Sequence, residues 1–256
     1  MSDEAPVAII TGARRGIGKA IARGLHGAGH RVLLADVDEQ VGATATEIDP
    51  DPERAMAFVG DLSTGTGARD LVAVAVERWG RVDVLANNAG GGVIRPFLDH
   101  DDQSIADTIS RNLLTTVHCA QAVLPTMIAA GRGSIVNTGA ESVRNGLAQH
   151  TMYNGAKGGV HGLTVGLARE FAARGIRVNC VAPSIVVTEL VQGWYDDPST
   201  MPDVMRPVVE EAIGDIPMGR AATVDEVAAA VVFLATDAAS FITGQVVSVN
   251  GGSSML

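Results

Sequence analysis

Aromatic residues are scarce in this chain, with five Phe, two Trp and two Tyr among 256 residues. The core must therefore be built from Val, Ile, Leu and Ala. Cysteine is scarcer still. Cys119 and Cys180 lie far apart and match no metal-ligand spacing, so no metal site and no disulfide framework is expected. They read as two buried thiols in a reducing cytoplasm. No run of about 18 apolar residues stands out, which argues against a membrane span. The opening MSDEAPVAII is acidic and passes directly into a strand-like run, with no signal-peptide pattern. Positive charge is also in deficit, because 19 Lys and Arg face 29 Asp and Glu and leave a formal net charge of −10. Such a surface repels a phosphate backbone, so nucleic acid is excluded as an expected partner.

Short β-branched runs alternate with helical patterns along the whole chain. The runs are VAII (7–10), RVLLAD (31–36), AMAFVGD (55–61), VDVLAN (82–87), SIVNTG (134–139), IRVNCVA (176–182) and QVVSVN (245–250). Between them apolar residues recur at helical spacing: Ile17, Ile21 and Leu25; Leu71, Val74 and Ala75; and Ala156, Val160, Leu163, Leu167 and Phe171. Short apolar strands separated by helices predict an α/β fold, a doubly wound parallel sheet covered on both faces. No linker or repeat divides the chain, so residues 1–256 are expected to form one domain. One stretch breaks the rhythm. Residues 189–217 carry four prolines, both signs of charge and the Trp194–Tyr195 pair. A long irregular insertion beyond a strand end is expected to act as a substrate lid.

The segment IITGARRGIG (9–18) follows the first strand and opens the first helix. Gly12, Gly16 and Gly18 allow a tight turn and let backbone N–H groups approach phosphate, while the helix N-terminus favours negative charge. Arg15 and Ile17 lie within the same turn. Asp36 ends the second strand, where a carboxylate can accept hydrogen bonds from both adenosine ribose hydroxyls and repel a 2′-phosphate. Arg15 pulls the other way, since a guanidinium could welcome that phosphate. An unpaired carboxylate facing a phosphate is costly, so NAD(H) is expected over NADP(H).

Tyr153 precedes Lys157 by one helical turn, and Ser142 lies upstream. An unperturbed tyrosine has a pKa near 10 and is a poor base at neutral pH. An adjacent ammonium favours the phenolate, which can exchange a proton with an alcohol or carbonyl oxygen.

Taken together, TGARRGIG (11–18), the Asp61–Leu62 pair, NNAG (87–90), Asn112, YNGAK (153–157), RVNCVAPSIVVT (177–188) and ITGQVVSVNGG (242–252) resemble the short-chain dehydrogenase/reductase family over nearly the entire chain. The resemblance implies a Rossmann-like parallel sheet of about seven strands, a nicotinamide cofactor and an alcohol/carbonyl substrate pair. It assigns Asp61 and Leu62 to the adenine, and Asn88, Ala89 and Gly90 to the floor beneath the adenosine ribose. Pro183, Val186 and Thr188 would flank the nicotinamide, with Ser184 standing where the family usually has glycine. Lys157 would hold the nicotinamide ribose, and Asn112 would link that lysine to a water chain.

The family's substrate-orienting serine falls, on counting back from Tyr153, at Ala140. Ser142 is expected to take its place, with Thr138, Asn145 and His150 as other donors, or a site without this donor and with slow turnover as the alternative. Gly155, Gly159, Gly162 and Gly166 recur along one helix beside its apolar stripe. Mid-helix glycine costs about 1 kcal/mol relative to alanine, and four on one face suggest close approach by another backbone, from this chain's own sheet and loops or from a partner. The resemblance to the family implies the partner, a homo-oligomer that is a dimer or tetramer. The C-terminal half resembles dehydrogenases of ring alcohols, dihydrodiols and cyclic acyl-CoA substrates, and also 3-oxoacyl-carrier-protein reductases. The leading expectation is a cytoplasmic NAD-dependent dehydrogenase of a small secondary alcohol. An NADPH-dependent 3-oxoacyl-carrier-protein reductase and a non-catalytic nucleotide-binding sensor or structural subunit are the alternatives. Arg95, Arg144 and Arg206 are candidates to meet a carboxylate or CoA phosphate.

Overall fold

In the computed structural model, residues 5–91, 93–203 and 205–255 are described. Seven strands form one parallel sheet: β1 (Val7–Thr11), β2 (Arg31–Asp36), β3 (Ala55–Val59), β4 (Val84–Asn87), β5 (Gly133–Thr138), β6 (Ile176–Pro183) and β9 (Val246–Val249). Their order is β3-β2-β1-β4-β5-β6-β9, with every neighbouring pair parallel. The order reverses between β1 and β4, which opens a crevice beyond their C-terminal ends.

The apolar runs are strands because both their faces are covered. Along β1, Ala8 and Ile10 pack into one core cluster, with α1 (Gly16–Gly27), α2 (Val41–Ile48) and α10 (Val224–Ala235). Val7 and Ile9 point the opposite way, toward α3 (Gly65–Trp79) and α5 (Thr115–Ala130). All of these β1 side chains are fully buried. The fourth strand starts at Val84, two residues later than its apolar pattern begins. Asp83 stands just before it, its backbone bonded to Val7 and Ser134, and its carboxylate accepts the Val7 N–H at 2.9 Å and pairs with Arg81 and Arg132.

Three parts of the chain depart from the sequence reading. First, α4 (Asp102–Ile109) runs through a π-turn, Ser110–Leu114, into α5. This Asp102–Ala130 stretch contains an 18-residue window of mean hydropathy 1.4, the one stretch among the described residues long and apolar enough to cross a membrane. Part of it covers the sheet: Cys119, Ala120, Val123, Leu124 and Met127 are buried in the core. Second, residues 189–217 are not an irregular loop. They contain α8 (Glu189–Asp196) and α9 (Arg206–Gly214). Thr188 caps α8, its hydroxyl accepting the Val191 N–H at 3.5 Å. Third, β7 (Val186–Val187) and β8 (Ala222–Thr223) pair in parallel and bring the two ends of that segment together.

Candidate active site

A cavity of about 1160 Å³ runs along the C-terminal ends of β1, β2, β4, β5 and β6. It starts at the turn between β1 and α1. Gly12 and Gly16 adopt left-handed backbone angles there, with φ of +63° and +57°. A side chain at Gly12 would press on the Ala89 backbone. Gly18 does not line the cavity; a Cβ there would overlap the Gly12 carbonyl, so it serves the close approach of helix and turn. Arg15 and Ile17 line the same end.

Asp36 faces the cavity at the end of β2, accepting backbone N–H groups of Arg14 at 3.1 Å and Asp38 at 3.2 Å. Arg14 brings its guanidinium to this acidic corner, and Arg15 lines the cavity beside it. Arg14 pairs with Asp38 at 3.1 Å and bonds Gln40 at 3.0 Å, so its charge is already matched. Asp61 and buried Leu62 form the adjoining wall.

The floor is built from the end of β4. The Thr11 hydroxyl accepts the backbone N–H groups of Asn88 at 3.0 Å and Ala89 at 2.9 Å. The Asn88 side-chain amide donates to the carbonyls of Thr11 and Gly12. Gly90 lies against two site residues, since a Cβ there would stand 2.8 Å from Asn112 Oδ1 and 3.3 Å from Lys157 Nζ. Asn112 itself sits behind the cavity wall, fully buried within the π-turn. Its amide donates to the Gly91 and Thr108 carbonyls, both at 2.9 Å, and its oxygen accepts the Gly91 N–H at 3.1 Å. Its side chain therefore holds the loop after NNAG.

Tyr153 and Lys157 lie one turn apart near the start of α7 (Thr151–Phe171), and both line the cavity. The lysine Nζ lies 5.8 Å from the tyrosine ring centre and donates to the Thr138 carbonyl at 2.8 Å. Burial pushes the phenol up to about 12 and the ammonium down to about 8. At neutral pH both groups therefore hold their protons: the tyrosine is a proton donor and the lysine is a cation. His150 packs edge-on to the Tyr153 ring at 5.7 Å, and burial lowers its pKa.

Ala140 and Ser142 both line the cavity, on either side of Glu141. Ser142 opens the short helix α6 (Ser142–Asn145). Its hydroxyl is buried and has no hydrogen-bond partner among the described residues. Buried polar groups are normally paired, so a lone hydroxyl in a cavity wall calls for an external partner. Thr138, Asn145 and His150 also line the wall. Glu141 was passed over by motif reasoning, yet it is fully buried. Its N–H donates to the Pro183 carbonyl at 2.9 Å, and its carboxylate accepts the Ser254 hydroxyl and faces Arg144 at 3.7 Å. It clamps the loop carrying Ser142 to the end of β6 and to the C-terminal tail.

Pro183, Ser184, Val186 and Thr188 line the opposite wall. Leu147, Val191, Trp194, Met205 and Val208 add apolar side chains to the lining. The three arginines expected to meet an anionic substrate group do not line the cavity. Arg95 bonds the Asp99 carbonyl, Arg144 bonds Ser248 and the Val246 carbonyl, and Arg206 bonds the Pro198 carbonyl.

A parallel sheet with a glycine turn at its switch point, and a tyrosine–lysine pair on the facing helix, defines the class of dinucleotide-dependent oxidoreductases. A family profile described as enoyl-(acyl carrier protein) reductase matches residues 12–254. The chain belongs to the short-chain dehydrogenase/reductase family. It is 47% identical to 2,3-dihydroxy-2,3-dihydro-p-cumate dehydrogenase of Pseudomonas putida, over 99% of this chain and 96% of that one. D-threitol dehydrogenase of Mycolicibacterium smegmatis is 36% identical over 96% of this chain and 92% of its own length. The crystal structure of gox2181 superposes with a TM-score of 0.85 at 34% identity, covering 98% of this chain and 96% of that one. The protein is an alcohol dehydrogenase/ketoreductase acting on a secondary alcohol/ketone pair.

Proposed function

We propose that the protein is a cytoplasmic enzyme that transfers hydride between NAD(H) and a cyclic secondary alcohol or its ketone. The observation that carries this reading is one continuous cavity with Asp36 at one end and the Tyr153–Lys157 pair at the other. The donor set fits a dinucleotide. Gly12 and Gly16 hold backbone angles that leave room for a diphosphate, Asp36 suits ribose hydroxyls, and Lys157 suits the second ribose. Asp36 and Asp38 oppose a 2′-phosphate, while Arg14 is neutralised by Asp38. This favours NAD over NADP. A ring substrate is favoured by the dihydrodiol names of relatives. Leu147, Val191, Trp194, Met205 and Val208 on the cavity wall suit an apolar ring.

The nicotinamide ring, when bound, supplies or accepts the hydride. The chain handles the proton and the oxygen. In reduction Tyr153 donates its phenolic proton to the carbonyl oxygen as hydride reaches the carbon. The Lys157 cation stabilises the phenolate left behind. Ser142 donates a second hydrogen bond to the same oxygen, which bears the developing negative charge. Oxidation runs these steps backward. Residues 189–217, with Trp194, Met205 and Val208 on the cavity wall, act as a lid that excludes water.

The oligomer reading is retained on fewer residues. A Cβ at Gly159 would meet the protein's own Leu113 at 3.0 Å, whereas Gly155, Gly162 and Gly166 face open space. Gly162→Leu should lower the mass seen by light scattering with the circular dichroism unchanged; an unchanged mass removes α7 as a subunit contact.

Two further outcomes test the site. Asp36→Ala should weaken NADH binding by about 1–3 kcal/mol and narrow the gap to NADPH, both read by cofactor fluorescence. Wild-type protein that binds NADPH more tightly than NADH contradicts the assignment. Ser142→Ala should lower kcat by about 10²–10³, with NADH affinity nearly unchanged, and Ala140→Ser should be neutral or harmful. Faster turnover in Ala140→Ser, beside an indifferent Ser142→Ala, shows instead that the site has no second donor.

A further inference from the structure

The lid segment reaches back to the glycine turn through one side chain. Glu189, the first residue of α8, accepts the backbone N–H of Gly16 through Oε1 at 3.1 Å. Gly16 is the first residue of α1, so this carboxylate lies at the start of two helices at once. Both N-termini favour an anion there. The packing is close on the same side: a Cβ on Gly16 would meet Glu189 Oε2 and Thr188 Cγ2, each at 3.6 Å. Glu189 and Gly16 both line the cavity.

The geometry points to Glu189 as an intramolecular ligand of the phosphate cradle, holding the Gly16 amide when no dinucleotide is present and giving it up to the diphosphate. This rests on the cofactor reading above and adds a residue that sets cofactor affinity. A carboxylate and a diphosphate are both anionic acceptors, and one N–H cannot serve both at full strength. Their mutual repulsion makes the two states exclusive. Since Glu189 opens α8, its release frees the first turn of the lid, so that cofactor binding comes before the lid settles over a substrate. The free protein binds its cofactor more weakly than the cradle alone would, by the fraction of molecules in which Glu189 is seated.

The test compares wild type, Glu189→Ala and Glu189→Gln by calorimetry, with ADP-ribose and adenosine as probes. ADP-ribose carries the diphosphate and adenosine does not. ADP-ribose should bind Glu189→Ala about tenfold more tightly than wild type, and Glu189→Gln should shift the same way. Adenosine should show no such gain. Hydrogen exchange gives a second readout without any ligand: the glycine-turn peptide around Gly16 should exchange faster in Glu189→Ala than in wild type. Equal or weaker ADP-ribose binding in both variants overturns the proposal, as does an equal gain for adenosine. If wild type binds neither NADH nor ADP-ribose, the cofactor reading itself falls, and this inference with it. If both ligands bind wild type and the variants gain nothing, only the role of Glu189 is refuted.

Discussion

The Thr11 hydroxyl is the joint on which the site depends. At the end of β1 it accepts two successive backbone amides, those of Asn88 and Ala89, from the segment that leaves β4. β1 and β4 are the strands between which the sheet order reverses. Without that hydroxyl the two amides would be unpaired beside the crevice, where each lost partner costs about 1–3 kcal/mol. With it, the floor stays against the glycine turn, and Asn88 adds two bonds to the same backbone. The nucleotide cradle is thus made by the chain's reversal and stapled by short polar side chains.

The same economy governs the reacting groups. Lys157 is nearly fully buried, and among the described residues it donates to the Thr138 carbonyl at the end of β5. Burial drives the lysine and Tyr153 toward their uncharged forms, with values near 8 and 12 respectively. At neutral pH the phenol therefore keeps its proton while the lysine beside it stays charged. Asn112 contributes from behind, where its side chain fixes the loop that carries Gly91. Glu141 does the same for the Ser142 loop from the other flank.

Much of this was legible in the sequence because local pattern and global fold agree. The seven strands appear within about two residues of their apolar runs, since the central ones are buried on both faces and each run is short and bounded by turn residues. The glycine turn, Asp36, NNAG and the Tyr153–Lys157 pair converge on one cavity. Other parts lay outside what pattern can show. The prolines of 189–217 suggested irregular chain, but Pro207 sits in the first turn of α9, where a proline is tolerated. The two-residue strands β7 and β8 are too short to carry a period. The π-turn at 110–114 has no compositional mark. Arg14 and Arg15 are adjacent, and only the fold decides which one meets Asp36 and Asp38. Gly159 looks like its helical neighbours, yet it packs on Leu113 of its own chain.

The central claim is that Tyr153 moves the proton while the rest of the cavity holds cofactor and substrate. It is tested most directly by single-turnover reduction of a cyclic ketone with NADH bound to wild type and to Tyr153→Phe, together with the NADH affinity of each. Near-complete loss of the chemical step in Tyr153→Phe, with cofactor affinity retained, is the result the structure predicts. A Tyr153→Phe enzyme that reduces the ketone at the wild-type rate would contradict it.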